Sequence, residues 1–128
     1  MSELYSNPAY DILLQPVAPR RWTTLAAPVW RNPGGGLWGG YALGLCVRAL
    51  EVESEATGEV LSMTLTYAAG LPPGEVDVRT RRLRQGGSIG VWEVELRQQG
   101  VEDVAVHGMV PLARRPAKIG RASCRERV

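Results

Sequence analysis

One segment limits the possible folds more than any other. From Trp38 to Glu51 the chain reads Trp-Gly-Gly-Tyr-Ala-Leu-Gly-Leu-Cys-Val-Arg-Ala-Leu-Glu, fourteen residues in which Arg48 and Glu51 carry the only charges. Ala and Leu favour helix, and a helix without a polar face has to be covered on almost every side. Its leading Gly39 and Gly40 each cost roughly 1 kcal/mol relative to Ala in a helix interior, so something must require bare backbone there.

Strands supply the cover. Residues 9–17 and 21–30 are short apolar stretches separated by Ala18-Pro19-Arg20, which predicts two strands joined by a turn. Asn32 to Gly36 is a run of turn formers and predicts a loop. Beyond the acidic stretch Glu51 to Gly58, four segments alternate at period two, as half-buried antiparallel strands do. Their apolar faces are Leu61, Met63, Leu65 and Tyr67; Val76 and Val78; Trp92, Val94 and Leu96; and Val104, Val106, Val110 and Leu112. The predicted order is strand, strand, buried helix, four strands. A long antiparallel sheet curled around one central helix satisfies it, an α+β hotdog fold.

Length allows one such domain, since 128 residues with 45% hydrophobic content build a single core. The domain is expected to run over 1–118. Residues 119–128 read as a foreign tail: Ile-Gly-Arg-Ala-Ser-Cys-Arg-Glu-Arg-Val resembles the in-frame translation of a short-read sequencing adapter. That tail holds three arginines against one glutamate and so accounts for the whole formal charge of +2, which removes any case for nucleic acid. Lys118, the only lysine beside fourteen arginines, adjoins it. No apolar run approaches the roughly 20 residues of a membrane span, and the N-terminus lacks a secretion pattern, so a cytoplasmic location is expected. Cys46 and Cys124 stand at no metal-ligand spacing, and neither a metal nor another cofactor is expected.

The run Leu37 to Leu50, followed by Ser62 to Tyr67, then Val76-Asp-Val-Arg-Thr-Arg-Arg-Leu-Arg-Gln-Gly-Gly-Ser88, then Trp92 to Gly100, resembles the N-terminal hotdog repeat of TesB-like acyl-CoA thioesterases. The resemblance spans roughly residues 10–113. It implies hydrolysis of acyl-CoA to free acid and coenzyme A by a parent protein in which two hotdog repeats pair. It also implies that the Asp, Thr and Gln that activate water lie mainly in the second repeat, and that this chain is the first half.

Thioester hydrolysis develops an oxyanion, and the first turn of a helix offers unpaired N–H groups with partial positive charge. The backbone N–H groups of Gly40 and Tyr41 are the oxyanion-hole candidates. Trp38, Gly39, Tyr67 and Arg84 are the candidate substrate-binding residues, Arg84 as one of four arginines, with Arg79, Arg81 and Arg82, that could meet coenzyme A phosphates. A base is harder to find. Glu51 lies eleven residues beyond Gly40, about three turns and about 16 Å away. Glu93 and Glu95 fall on the polar face of their strand and read as solvated, and Asp11 precedes an apolar run. His107 has no Ser or Asp at a motif spacing and reads as a hydrogen-bonded structural or surface histidine. Cys46 reads as a small buried thiol, and Thr23, Thr24, Thr64 and Thr66 are left without a catalytic role.

Three functions are weighed. The first is an acyl-CoA thioesterase whose first half this is, completed by a second repeat in the same parent chain or by a homodimer. The second is a hotdog module that binds acyl groups or dimerises without catalysis. The third, an enoyl-CoA hydratase, is weakened because no Asp and His pair stands near the helix start.

Overall fold

The computed structural model describes residues 12–114, so Asp11, Cys124 and the 119–128 tail lie outside the described residues. Strands β1 (Gln15–Ala18) and β2 (Arg21–Ala26) are followed by a 3-10 turn at Pro28–Trp30 and the helix α1 (Gly39–Val52). Then come β3 (Glu59–Val60), β4 (Thr64–Tyr67), β5 (Gly74–Gln85), β6 (Ile89–Gln98) and β7 (Val106–Ala113). All seven strands form one antiparallel sheet in the order β1-β2-β5-β6-β7, with β3 and β4 both paired to β7. This is the expected α+β hotdog arrangement, a sheet curved around one helix.

The alternation read from the sequence decides what meets the helix. Val76, Val78, Trp92, Val94, Leu96, Val106, Val110 and Leu112 are buried beneath Tyr41, Ala42, Leu45, Cys46, Ala49 and Leu50 of α1. Gly108 sits mid-strand on the same face. A Cβ there would lie 2.9 Å from Leu65 Cδ2 and in contact with Cys46 Sγ at 3.5 Å, so even a methyl group would require the Leu65 side chain to shift.

On the outer face the register is reinforced by charge. Asp77 stands opposite Arg97, Arg79 opposite Glu95, and Arg81 opposite Glu93 across the β5–β6 pair. Opposite charges directly across an antiparallel pair stabilise it, and a slip of one residue would place every one of these side chains in the core.

Several boundaries differ from expectation for identifiable reasons. The stretch 21–30 stops being strand at Ala26, because Pro28 lacks the N–H needed to continue the ladder and starts a 3-10 turn instead. Residues 61–67 form a strand only from Thr64, and Val104 precedes β7. Met63 and Leu65 of the predicted face are partly buried but Leu61 and Tyr67 are exposed, because β4 has β7 on one side and, among the described residues, no strand on the other. For the same reason the helix is not covered all round: Leu43 remains 43% exposed and Val47 partly so.

The far end of the helix contains the largest departure from the sequence reading. Glu53, inside a stretch that reads as an acidic linker, is buried at 6% exposure. Its carboxylate accepts from Thr80 Oγ1 at 3.0 Å and from the Glu55 N–H at 3.1 Å, with Arg20 Nε 3.9 Å away. Arg20 also pairs with Glu55, and its guanidinium carbon lies 5.3 Å from the centre of a Trp92 ring, with that of Arg82 6.0 Å away. Arg20 reaches this position from a left-handed backbone conformation, φ 62°, at the β1–β2 turn, where its carbonyl accepts from the Thr80 N–H at 3.0 Å. The cluster fastens the helix terminus to the first hairpin and to β5. Glu53→Ala should therefore cost about 2 kcal/mol, as the buried Thr80 hydroxyl and the Glu55 N–H lose their acceptor. Glu51→Ala, whose Arg48 partner is exposed, should cost less than about 0.5 kcal/mol. Urea unfolding of the two variants measures both.

Candidate functional site

At its other end the helix opens on a cleft. About 610 Å³ of space lies between the Asn32–Leu37 loop, the first turn of α1 and the β4–β5 connection, lined by Asn32, Gly36, Gly39, Ala42, Tyr67 and Leu71 among others. The loop is held by Asn32, whose N–H donates to Gly36 O at 2.7 Å and whose side-chain Oδ1 accepts from the Gly34 N–H at 2.9 Å. The Leu37 N–H donates to Leu71 O at 2.7 Å and ties the loop to the opposite wall.

The two glycines have separate reasons to lack a side chain. A Cβ on Gly40 would lie 2.5 Å from Trp38 Cη2, because the Trp38 indole folds back over it. That ring stacks on Trp30, 6.3 Å between centroids at 17°, and Trp30 stacks in turn on Tyr41 at 5.5 Å. A Cβ on Gly39 would lie 3.3 Å from the Tyr67 hydroxyl, which donates to Gly39 O at 2.9 Å.

Helix α1 has no side-chain N-cap. The Trp38 N–H donates to Trp30 O at 2.6 Å, and the Tyr41 and Ala42 N–H groups both donate to Trp38 O, at 2.9 and 3.2 Å. Tyr41 is thereby engaged inside the helix, which corrects the expectation that its N–H is an open donor. The N–H groups of Gly39 and Gly40 have no acceptor among the described residues. The free pair sits one residue earlier than the sequence suggested, because the first helical bond closes in the tight i to i−3 manner.

Of the candidate substrate-binding residues, Gly39 and Tyr67 come together on the cleft wall. Trp38 stands beside them at 51% exposure but outside the lining. Arg84 is not brought near. It follows Gly74 by ten residues on β5, about 33 Å along an extended strand, and Gly74 is at the cleft end. Arg82 is engaged by Glu55 at 3.5 Å, and Arg81 by Glu93 at 3.3 Å. Among the described residues no Asp, Glu or His lines the cleft.

A model of the acyl-CoA thioesterase N-terminal domain matches residues 26–113. The chain belongs to that family. Among solved structures, this thioesterase domain resembles a protein of unknown function with a hot dog fold from Alicyclobacillus acidocaldarius, with TM-score 0.75 and 18% identity over 87% of the chain. It spans only 41% of that relative's length. A protein of Pseudomonas aeruginosa aligns with TM-score 0.69 and 22% identity over 89% of the chain and 98% of its own length. Zebrafish thioesterase superfamily member 2 aligns with TM-score 0.64 and 18% identity over 80% of each chain. At these identities the likeness establishes the fold. No curated protein matches the sequence.

The remaining titratable groups of the thioesterase domain lie elsewhere. Glu93 is not simply solvated, as its position on the strand suggested. Its side chain is 17% exposed and accepts from Arg81, with His107 Nε2 at 2.9 Å. All three residues sit on the outer face, across the sheet from the helix. His107 is the hydrogen-bonded histidine that was expected. Among the described residues no group of three or more His, Cys, Asp or Glu is placed to hold a metal, and no helix is long and apolar enough to cross a membrane.

The cleft residues that sequence reasoning missed, Asn32 and the Ala68–Leu71 wall, belong to two loops that only the fold brings together. An Asn at the head of Pro-Gly-Gly-Gly just before a helix was the available signal for the first.

Two outcomes are expected. Gly40→Ala should swing the Trp38 ring away and abolish the near-ultraviolet circular dichroism of the Trp30–Trp38 stack. Because the ring is half exposed and Ala favours helix, stability should change by less than about 1 kcal/mol. Burial pushes the Cys46 thiol from 9.0 up to about 12. The folded state holds that proton more tightly than the unfolded one, so this contribution leaves stability intact below pH 9.0 and lowers it progressively toward about 12. In a Cys124→Ser background, iodoacetamide at pH 8.5 should leave Cys46 unmodified until urea unfolds the chain.

Proposed function

We propose that this chain is the first hotdog repeat of an acyl-CoA thioesterase of the TesB-like type, and that it supplies oxyanion donors while a paired repeat supplies the base. The observation that carries the proposal is the cleft at the helix start. Within a domain of the acyl-CoA thioesterase family, the cleft is lined by Gly39, whose N–H and that of the adjoining Gly40 have no acceptor among the described residues, and none of those residues brings a carboxylate to its lining. Backbone donors at a helix start are suited to a thioester oxyanion, because they are fixed in place before charge develops. Water activation needs a base within reach of the same carbon, and none of the described residues brings one to this cleft. Oxygen of the thioester carbonyl would meet the glycine N–H groups, and hydrolysis would release free acid and coenzyme A.

The same deficit favours a second reading, a hotdog module that holds acyl groups in the cleft without cleaving them. Pairing supports either version. Among the described residues β4 has one unpaired edge, and Leu43 of α1 is exposed and Val47 partly so, which suits a second repeat or a second copy of the chain.

Sequencing the source gene through the codon for Lys118 separates the two readings. A frame that continues for another hotdog length with an Asp, a Thr and a Gln near a second helix start supports the thioesterase. A stop after Val128 hands the lead to the binding module. In solution the 128-residue chain is expected to scatter as a homodimer or to aggregate, and a monodisperse monomer would count against pairing. Release of coenzyme A from octanoyl-CoA should stay at the uncatalysed rate with this chain alone and rise by about 100-fold or more when the second repeat is joined to it.

A further inference from the structure

We infer that Tyr67 is a positioning residue for the Gly40 oxyanion donor, acting through the peptide group that joins Gly39 to Gly40. This rests on the reading of the cleft given above. One peptide unit carries both ends of the relation: its carbonyl, Gly39 O, accepts the Tyr67 hydroxyl at 2.9 Å, and its N–H, that of Gly40, is one of the two free donors. A hydrogen bond accepted by an amide oxygen withdraws electron density through the conjugated C–N bond, so the N–H at the other end becomes a stronger donor. The bond also fixes the plane of that peptide, and with it the direction of the N–H, where no side-chain cap does so.

The glycine preceding the donor fits this role. A Cβ on Gly39 would stand 3.3 Å from the Tyr67 oxygen and crowd the approach of the hydroxyl. Desolvation, with a smaller contribution from Cys46, raises the Tyr67 phenol above its ordinary value, so it remains a protonated donor through the neutral range.

Location gives the contact a further consequence. Tyr67 is the last residue of β4, which among the described residues pairs with β7 alone and has its other edge open. A repeat that added itself to that edge would settle the strand bearing Tyr67. The quality of the oxyanion donor is thereby tied to whether the edge is occupied.

The test uses the full chain labelled with nitrogen-15, read by the amide resonance of Gly40, with octanoyl-CoA as the probe. Tyr67→Phe should move the free-state Gly40 proton upfield while the amides of Leu65 and Met109, on the β4–β7 ladder, stay in place. Affinity for octanoyl-CoA should fall by about twofold or less, since the lost bond is internal and polarisation changes the neighbouring donor's bond by only about 10–30%. Site-specific 3-fluorotyrosine at position 67 keeps the ring and strengthens the donor, and should move the same proton downfield. A role confined to packing would not follow the acidity of the phenol.

If the Gly40 proton is unmoved by both replacements, the inference is overturned whatever the ligand does. If it moves as stated but octanoyl-CoA never perturbs Gly39 or Gly40 in the unmodified chain, the polarisation stands and the thioester reading of the cleft falls. Should Tyr67→Phe unfold β4, the fluorotyrosine shift alone decides: downfield supports the inference, and no change ends it.

Discussion

Everything in this domain is arranged around a helix that has no face suited to water. Its apolar surface forces the sheet to curve over it, and the sheet can do so only because Val, Trp and Leu alternate with charge along β5 and β6. The benefit is shared unequally. The middle of the helix is sealed by packing, with Tyr41, Leu45, Cys46 and Ala49 all at zero exposure. Its ends are held by polar contacts of two different kinds.

At the C-terminal end a buried carboxylate is surrounded by a hydroxyl, a backbone N–H and one guanidinium group that also lies over an aromatic ring. This is a closed arrangement in which the partners satisfy one another. The N-terminal end is the reverse. Backbone bonds and an aromatic stack hold it, and the N–H groups of Gly39, on the cleft wall, and of Gly40 beside it have no acceptor among the described residues. A helix whose one terminus is satisfied and whose other is open has a direction, and the candidate site lies at the open terminus.

The parts that were legible in the sequence are those governed by local rules. Period-two alternation named the inward residues of β5 to β7, and the glycine pair marked where bare backbone was needed. Glu53 was not legible, since a Glu in a short acidic stretch looks solvated until Thr80 and Arg20 arrive from strands far along the chain. Arg84 was misplaced for a related reason. A basic strand looks like one surface in sequence, but its residues alternate between two faces and run away from the cleft. Tyr41 failed by a single residue, because the type of the first helical turn decides which N–H groups remain free. Leu43 failed because the helix pattern does not reveal that the sheet stops at β4.

The walls of the cleft differ in how freely they can change. Leu37, Ala42 and Val106 belong to the core, and altering them disturbs the helix and the sheet together. Ala68, Ala69 and Gly70 form an exposed rim, and a Cβ on Gly70 would meet nothing within 4 Å. Larger side chains can therefore accumulate on that rim one at a time without loss of folding. A lineage built on this scaffold can reshape what the cleft accepts by drift along three surface positions, while the helix and its free donors are inherited unchanged.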